Sequence, residues 1–125
     1  MWKKSLASAA LAAMWVIASA AAKAQDADNV ADIRCVAVGI RFAELPDSHQ
    51  KSTGTLLVLY YIGRLDGRAP SLDIEKLLAD QIAKMNDADY SAEATRCGKW
   101  LAVKGEQITH IGEDMMKNFT GAPRK

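Results

Sequence analysis

The feature that most constrains this 125-residue chain is an apolar run over residues 55–67, which reads TLLVLYYIGRLDG. The run lies between the only two cysteines, Cys35 and Cys97. A segment this apolar is stable in water only when most of it is covered. We therefore predict a buried central element, with the flanking segments packed on it and one disulfide holding them together.

Periodicity alone does not decide whether so short an apolar run is a strand or a helix. Its context favours a helix over about residues 48–65. Asp47 or Ser48 can cap the N-terminus, and Gln50 stands where a capping box places its polar residue. Gly67 suits a left-handed C-terminal cap. The sequence thus predicts a helix here, with a strand as the alternative.

Two glycines inside this predicted helix, Gly54 and Gly63, carry a stability cost. Each lowers helix stability by about 1 kcal/mol relative to alanine. That cost is tolerable if a second helix crosses closely there, which makes Gly54 and Gly63 candidate positions for such a crossing.

Residues 1–24 have the composition of a secretory signal peptide. Two lysines form a positively charged start, an alanine-rich apolar segment follows, and Ala22 and Ala24 form a small-residue cleavage site. We predict cleavage after Ala24 and a periplasmic or secreted protein, with an uncleaved membrane anchor as the alternative. After cleavage, no remaining segment is long and apolar enough to span a bilayer.

Cleavage changes the charge balance of the chain. It would remove three of the 16 basic residues and none of the 15 acidic ones, which leaves 13 against 15 and a net charge of −2. A near-neutral chain without a basic block argues against nucleic acid as a partner. Its length predicts one helical domain over residues 25–117, followed by a flexible tail over residues 118–125.

Cys35 and Cys97 are predicted to form a disulfide, because an exported chain with two distant cysteines usually pairs them. The sequence has neither the CxxC pattern of thioredoxin-like redox sites nor the CxxCH pattern of haem attachment. The alternative is a pair of free thiols with a redox or metal-binding role.

Three further helices complete the predicted all-α, four-helix fold. The first begins at Asp28 or Asn29 and ends near Leu45, although residues 35–40 could also form a short strand. The third is capped by Ser71 and is broken at Asn86 and Asp87, which cap the next helix. The last runs over about residues 88–117, which is longer than a small domain needs, so we expect either a bend near Gly105 or a protruding end.

Few residues suggest catalysis or metal binding. His49 lies in a polar turn without a nucleophile motif, so it is a weak candidate for a Ser-His-Asp site. His110 stands four residues from both Glu106 and Asp114, which could form a weak metal site, but a solvated charged face is the simpler interpretation. No phosphate-binding or dinucleotide-binding motif is present. The sequence predicts no catalytic residue, cofactor or metal ligand.

Other residues could take part in binding. Arg64, Asp66 and Arg68 could bind an anion, but they also suit a helix C-terminus at which Asp66 pairs with an arginine. Trp100 could anchor a partner or cover the disulfide. Met115 and Met116 could mark an interaction end or finish the core stripe of the last helix.

Two segments, residues 54–68 and Arg96-Cys97-Gly98, are similar to a family of small exported alphaproteobacterial proteins with the same two-cysteine layout. That likeness implies the same domain and no activity. The order of Cys35 in an early helix, an apolar middle helix and Cys97 in a late helix distantly resembles the HdeA-type periplasmic acid-stress chaperones. This second likeness implies apolar surface that is covered at neutral pH and released in acid.

The sequence therefore favours a non-enzymatic, chaperone-like helical binding module of the cell envelope. Its expected partner is another protein or an unfolded client, and it could act as a homodimer. Two alternatives stay open, namely a structural envelope-associated protein and, less favoured, a small hydrolase or metal-dependent enzyme that uses His49 or His110.

Overall fold

A computed structural model describes the backbone of residues 5–121 and the side chains of residues 20–118. The described chain forms four helices and contains no strand, which confirms the predicted all-α class. The helices are α1 (Ser5–Ala43), α2 (Ser48–Arg68), α3 (Ile74–Ile82) and α4 (Asp87–Gly121). Residues 35–40, for which a strand was the alternative, lie inside α1.

The central helix of the fold is α1, and the prediction that α2 occupies this position is wrong. Backbone contacts link α1 to each of the other three helices, whereas within the described residues α3 approaches α1 alone. The core accordingly contains one continuous stretch of α1, in which Ile33, Val36 and Val38 are almost fully buried. Three helices thus pack around α1 and cover it from several sides.

Helix α2 is amphipathic and only one of its sides is buried. Leu57, Tyr61 and Leu65 face the core at helical spacing, and Leu57 is 3% exposed. On the other side, Leu59 is 65% exposed and Leu56 is exposed as well. The prediction of a fully buried helix is wrong, because α1 covers only the side of α2 that faces it.

The helices α1 and α2 cross closely at a pair of glycines, Gly39 and Gly54. A Cβ atom added to Gly54 would overlap backbone atoms of α1, and its distance to the carbonyl carbon of Phe42 would be 2.8 Å. A Cβ atom added to Gly39 would lie 2.9 Å from the Gly54 oxygen. The close crossing predicted at Gly54 is confirmed, whereas a Cβ atom at Gly63 would meet nothing within 4 Å.

The ends of α2 agree only partly with the prediction. The Asp47 side chain accepts a hydrogen bond of 2.8 Å from the backbone N–H of Gln50, which confirms the N-cap. The predicted left-handed cap at Gly67 is wrong, because α2 continues to Arg68 and none of the glycines in the described chain has a positive φ. The C-cap is Ala69, whose N–H donates to the Leu65 carbonyl.

The caps of α3 and α4 are formed by side chains that lie directly before each helix. The residue that caps α3 is Asp73, whose carboxylate accepts from the Lys76 N–H, so the prediction of Ser71 is wrong. Before α4, Asn86 and Asp89 each accept a hydrogen bond of 3.0 Å from the backbone N–H of the other. This reciprocal pair is a capping box and confirms the predicted break at Asn86.

Both long helices extend beyond their predicted bounds. Helix α1 begins at Ser5 and so includes most of the predicted signal peptide, whose cleavage stays a prediction. Helix α4 runs without interruption through Gly105 to Gly121, past the predicted start of the tail at residue 118. Residues 1–4 and 122–125 lie outside the described residues. In the part of the chain that was searched for membrane spans, no helix has the length and hydropathy to cross a bilayer.

The predicted disulfide joins α1 to α4. The sulfur atoms of Cys35 and Cys97 lie 1.98 Å apart, with their Cα atoms separated by 5.6 Å. Both residues are fully buried. The bond therefore fixes α4 to the central helix within the core.

Candidate functional site: a buried charge network and an exposed helix face

Two carboxylates inside the fold each contact two arginines, and the first of them is Asp32 of α1. Its side chain is 5% exposed, and its Oδ2 lies 2.7 Å from Nη2 of Arg68 and 3.2 Å from Nε of Arg64. Arg68 also donates a hydrogen bond of 2.9 Å to the amide oxygen of Asn29. The two arginines thus join α2 to α1. Among the described residues Asp66 has no ion pair, so its predicted pairing with an arginine is wrong.

The second carboxylate is that of Glu93 in α4. One oxygen lies 2.6 Å from Nε of Arg96, and the other lies 3.4 Å from Nη1 of Arg34 in α1. Arg34 also donates to the side-chain oxygen of Gln81 in α3, at 2.9 Å. One arginine of the central helix therefore contacts both α3 and α4. Since the side chains of Glu93, Arg34 and Arg96 are all partly covered by the fold, their ion pairs are less screened by solvent than ion pairs on the surface.

The disulfide lies beside this second carboxylate. Arg96 donates a hydrogen bond of 2.6 Å to the Ala31 carbonyl, and the same Nη2 atom lies 3.0 Å from Cys35 Sγ. A Glu93 oxygen and the two sulfur atoms lie within 4.8 Å of one another. Because the sulfurs are bonded to each other, they are not metal ligands in this state.

Tyr61 of α2 lies near Asp32, Arg64 and Arg96, and the guanidinium carbon of Arg64 is 5.6 Å from its ring centre. It is fully buried, and its hydroxyl has no hydrogen-bond partner among the described residues. Burial raises the pKa of the Tyr61 phenol above its usual value of 10.0, while the positive charges of Arg96 and Arg64 act in the opposite direction. The neutral phenol is therefore the form that the folded protein favours.

From Trp100 onward, α4 presents a set of exposed apolar side chains, which we call the outer α4 face. It consists of Trp100, Val103, Ile108, Ile111 and Met115. Trp100 and Val103 are 44% exposed and Ile108 is 69% exposed. The whole of residues 105–118 is exposed, so the protruding end predicted for α4 is confirmed. A single apolar residue on a surface is ordinary, but several at helical spacing on one element are characteristic of an interaction surface.

Trp100 connects the outer α4 face to the charge network. The guanidinium carbon of Arg64 lies 5.5 Å from the Trp100 ring centre and 5.8 Å from that of Tyr60. The Lys104 ammonium lies 5.3 Å from the centre of the Trp100 ring. Cation–π contacts of this kind hold the indole in a defined place while part of it stays in solvent.

The two histidines do not come together. His49 is exposed in the first turn of α2, and His110 is exposed in the protruding half of α4. Nδ1 of His110 lies 3.8 Å from a carboxylate oxygen of Glu113. In the described chain, the three-residue group with metal-ligand spacing is the one at the disulfide, and it contains neither His110 nor Glu106 nor Asp114.

Sequence reasoning missed the buried carboxylate of Asp32 and the partly buried carboxylate of Glu93. Asp32 and Glu93 were not singled out, although Asp32 sits directly before the apolar residues Ile33 and Val36 in a segment that was predicted to be well buried. A charged residue on the buried side of a helix indicates a partner of opposite charge elsewhere in the fold. That signal predicts the presence of a partner but does not identify it.

Comparisons with protein-family models, with curated proteins and with solved structures gave no match to this chain.

Proposed function

We propose that this protein is a non-enzymatic, chaperone-like binding module of the cell envelope, which captures apolar segments of other proteins on the outer α4 face. The observation that carries the proposal is the exposure of five large apolar side chains along α4, three of which, Ile108, Ile111 and Met115, lie on the helix end that extends beyond the core. An amphipathic helix that presents apolar side chains at this spacing can pair with an apolar segment of another chain.

The composition of the outer α4 face favours a partner without a fixed sequence. Met115 has an unbranched, polarizable side chain that adapts to differently shaped partners, and Ile108 and Ile111 add apolar area without hydrogen-bonding demands. The ammonium group of Lys104 already lies 5.3 Å from the centre of the Trp100 ring. These properties suit an unfolded client better than a partner that must be recognised by specific polar contacts.

The remainder of the fold holds α4 in place whether or not a client is bound. The disulfide and the contacts of Glu93 attach the first half of α4 to α1. The second half can therefore engage a client while the core stays intact. In strong acid the chain as a whole becomes positively charged, and the resulting self-repulsion would loosen the core, so further apolar surface could become available.

The proposal is tested with a double variant, Ile108→Ser with Ile111→Ser, and a matched control, Leu56→Ser with Leu59→Ser. Both change two exposed apolar residues, but the control changes them on α2. We expect the α4 variant to lose most of its suppression of client aggregation and its binding of an apolar dye, in neutral and in acidic buffer, while the α2 control retains both. Equal losses in the two variants, or none in either, would contradict the proposal.

Self-association is measured on the same samples by light scattering. We expect client binding and self-association to compete, because both would use the outer α4 face. A stable homodimer whose outer α4 faces are closed against each other, and which clients cannot open, would identify a second copy as the true occupant and would overturn the client proposal.

A further inference from the structure

A groove separate from the outer α4 face lies between the end of α1 and the beginning of α4. Its volume is about 390 Å³, within the range of roughly 300–1,000 Å³ that is usual for small-molecule sites. Cys97 lies between this groove and the protruding half of α4 along the helix. The groove is thus independent of the function proposed above.

The inner surface of the groove is apolar. Val38 and Phe42 line it from α1, and Ala94 lines it from α4, with Leu45 at the end of the groove. Val38 is almost fully buried, so it forms part of the rigid core and not of a mobile rim. An apolar chain or ring placed here would lose contact with water on both of its sides.

The polar groups of the groove converge on one edge. The guanidinium carbon of Arg41 lies 4.6 Å from the centre of the Tyr90 ring, and its Nη2 lies 2.9 Å from a carboxylate oxygen of Asp87. The two charged residues differ in how firmly they are held. The Asp87 side chain is 91% exposed, whereas the Arg41 side chain is 54% exposed and its guanidinium group lies over the aromatic ring.

This difference determines which charge an incoming ligand can carry. An ion pair with so exposed a carboxylate contributes little stability, so its exchange for another carboxylate costs little. Arg41 would stay on Tyr90 during that exchange and could offer two parallel N–H donors to the new oxygen atoms. A cationic ligand would instead have to displace Arg41 from the ring.

The groove is also preformed. The disulfide joins the same two helices about one turn away, between Cys35 and Cys97. The capping box of Asn86 and Asp89 fixes the beginning of α4 directly before Tyr90. Binding would therefore require little rearrangement, which removes part of the usual entropic cost.

We propose that this groove binds a free single-chain amphiphile with a carboxylate head. The apolar chain lies against Val38, Phe42 and Ala94, and the carboxylate pairs with Arg41 in place of Asp87. No residue of the outer α4 face takes part.

The test is a titration of the oxidised full chain with dodecanoate below its micelle concentration, followed by calorimetry and by amide NMR shifts. Arg41→Gln should weaken binding about tenfold, the usual loss for one charge-assisted contact. Arg41→Lys, which keeps the charge without the two parallel donors, should give an intermediate loss. Asp87→Asn, which removes the competing carboxylate, should leave binding equal or tighter, and Ala94→Phe, which fills the groove, should abolish it.

The controls separate this site from other apolar surfaces. Acetate should not bind, and dodecylammonium should bind more weakly than dodecanoate. The Ile108→Ser and Ile111→Ser double variant should bind dodecanoate normally, so failure of the client proposal leaves this result unaffected. Equal affinity for dodecylammonium, NMR shifts confined to α4 beyond Cys97, undiminished binding by a folded Ala94→Phe variant, or binding only to phospholipid vesicles would overturn the proposal.

Discussion

Two helix surfaces of this protein contain glycines and apolar side chains, yet one is closed and the other is open. At the crossing of α1 and α2, Gly39 and Gly54 bring the two backbones into direct contact, and Leu57 and Tyr61 are buried beside them. In the protruding half of α4, a Cβ atom at Gly105 or Gly112 would meet nothing within 4 Å, and Ile108 between them is mostly exposed.

The comparison teaches that a glycine-containing apolar helix face does not by itself determine whether another helix covers it. Closure at α1 and α2 has additional supports, namely the contacts of Asp32 with two arginines of α2. On α4 the corresponding supports end with the contact of Arg64 on Trp100, and the face continues beyond them. The difference predicts a gradient of stability along α4, from the disulfide outward.

The largest expected effect is that of removing the disulfide, which attaches α4 to the closed core. Its cysteines are 62 residues apart, so Cys35→Ala with Cys97→Ala should lower the free energy of unfolding by about 4 kcal/mol on the chain-entropy model. Denaturant titration with and without a reductant measures the effect. Hydrogen exchange should become faster around Glu93 and remain as it was beyond Gly105. Unchanged exchange at Glu93 would mean that α4 is held in place without the disulfide.

The second effect concerns the ion pairs that close α2 against α1. Asp32→Asn removes the carboxylate that two arginines share. We expect it to lower the free energy of unfolding by about 2–3 kcal/mol. This is at or below the lower limit for a fully buried pair, because both arginines keep some contact with solvent. The matched control is Asp66→Asn, an exposed acid near the end of α2, which should change stability by less than about 0.5 kcal/mol. If thermal unfolding shows equal losses of stability in the two variants, the contacts of Asp32 contribute no more to stability than an exposed acid does.

The third effect compares the glycines directly. In Gly54→Ala the new Cβ atom would overlap the backbone of α1. We expect the resulting strain to lower the free energy of unfolding by about 2 kcal/mol. Gly63→Ala, on the same helix but in open space, should instead stabilise by up to about 1 kcal/mol through helix propensity. Gly112→Ala on the open surface should resemble Gly63→Ala. A loss at Gly112 as large as that at Gly54 would indicate that the α4 face is covered in solution.

The smallest effect is that of the Tyr61 hydroxyl. Tyr61→Phe removes a buried polar group without a described partner and should be neutral or stabilise by about 1 kcal/mol at neutral pH. Because the folded state keeps the phenol proton to a higher pH than the unfolded state, stability is intact below about pH 10 and falls as the pH rises above it. The variant should lose that alkaline decline, while Tyr60→Phe should retain it. Urea titrations across alkaline pH, together with tyrosinate absorbance, measure both.

Much of the fold was predictable from the sequence. Helix periodicity, the Asp47 cap and the break at Asn86 are local properties, since each depends on hydrogen bonds within a few residues. The disulfide was predictable because only two cysteines are present and the chain has the features of an exported protein. The close approach at Gly54 was suggested by the lower helix stability that glycine causes, since this cost is tolerable where another helix crosses closely.

Only the tertiary structure decided which helix is central, which carboxylates are buried and which apolar faces remain open. The pairing of Asp32 with Arg64 and Arg68 spans more than thirty positions of the chain, and no local pattern selects those partners. The exposure of Leu59 beside the buried Leu57 has the same cause, because α1 has room for one side of α2 only. Local hydrogen bonding and the spacing of apolar residues therefore determined the helices. Which face of each helix is buried and which meets solvent depends on how all four helices pack against one another.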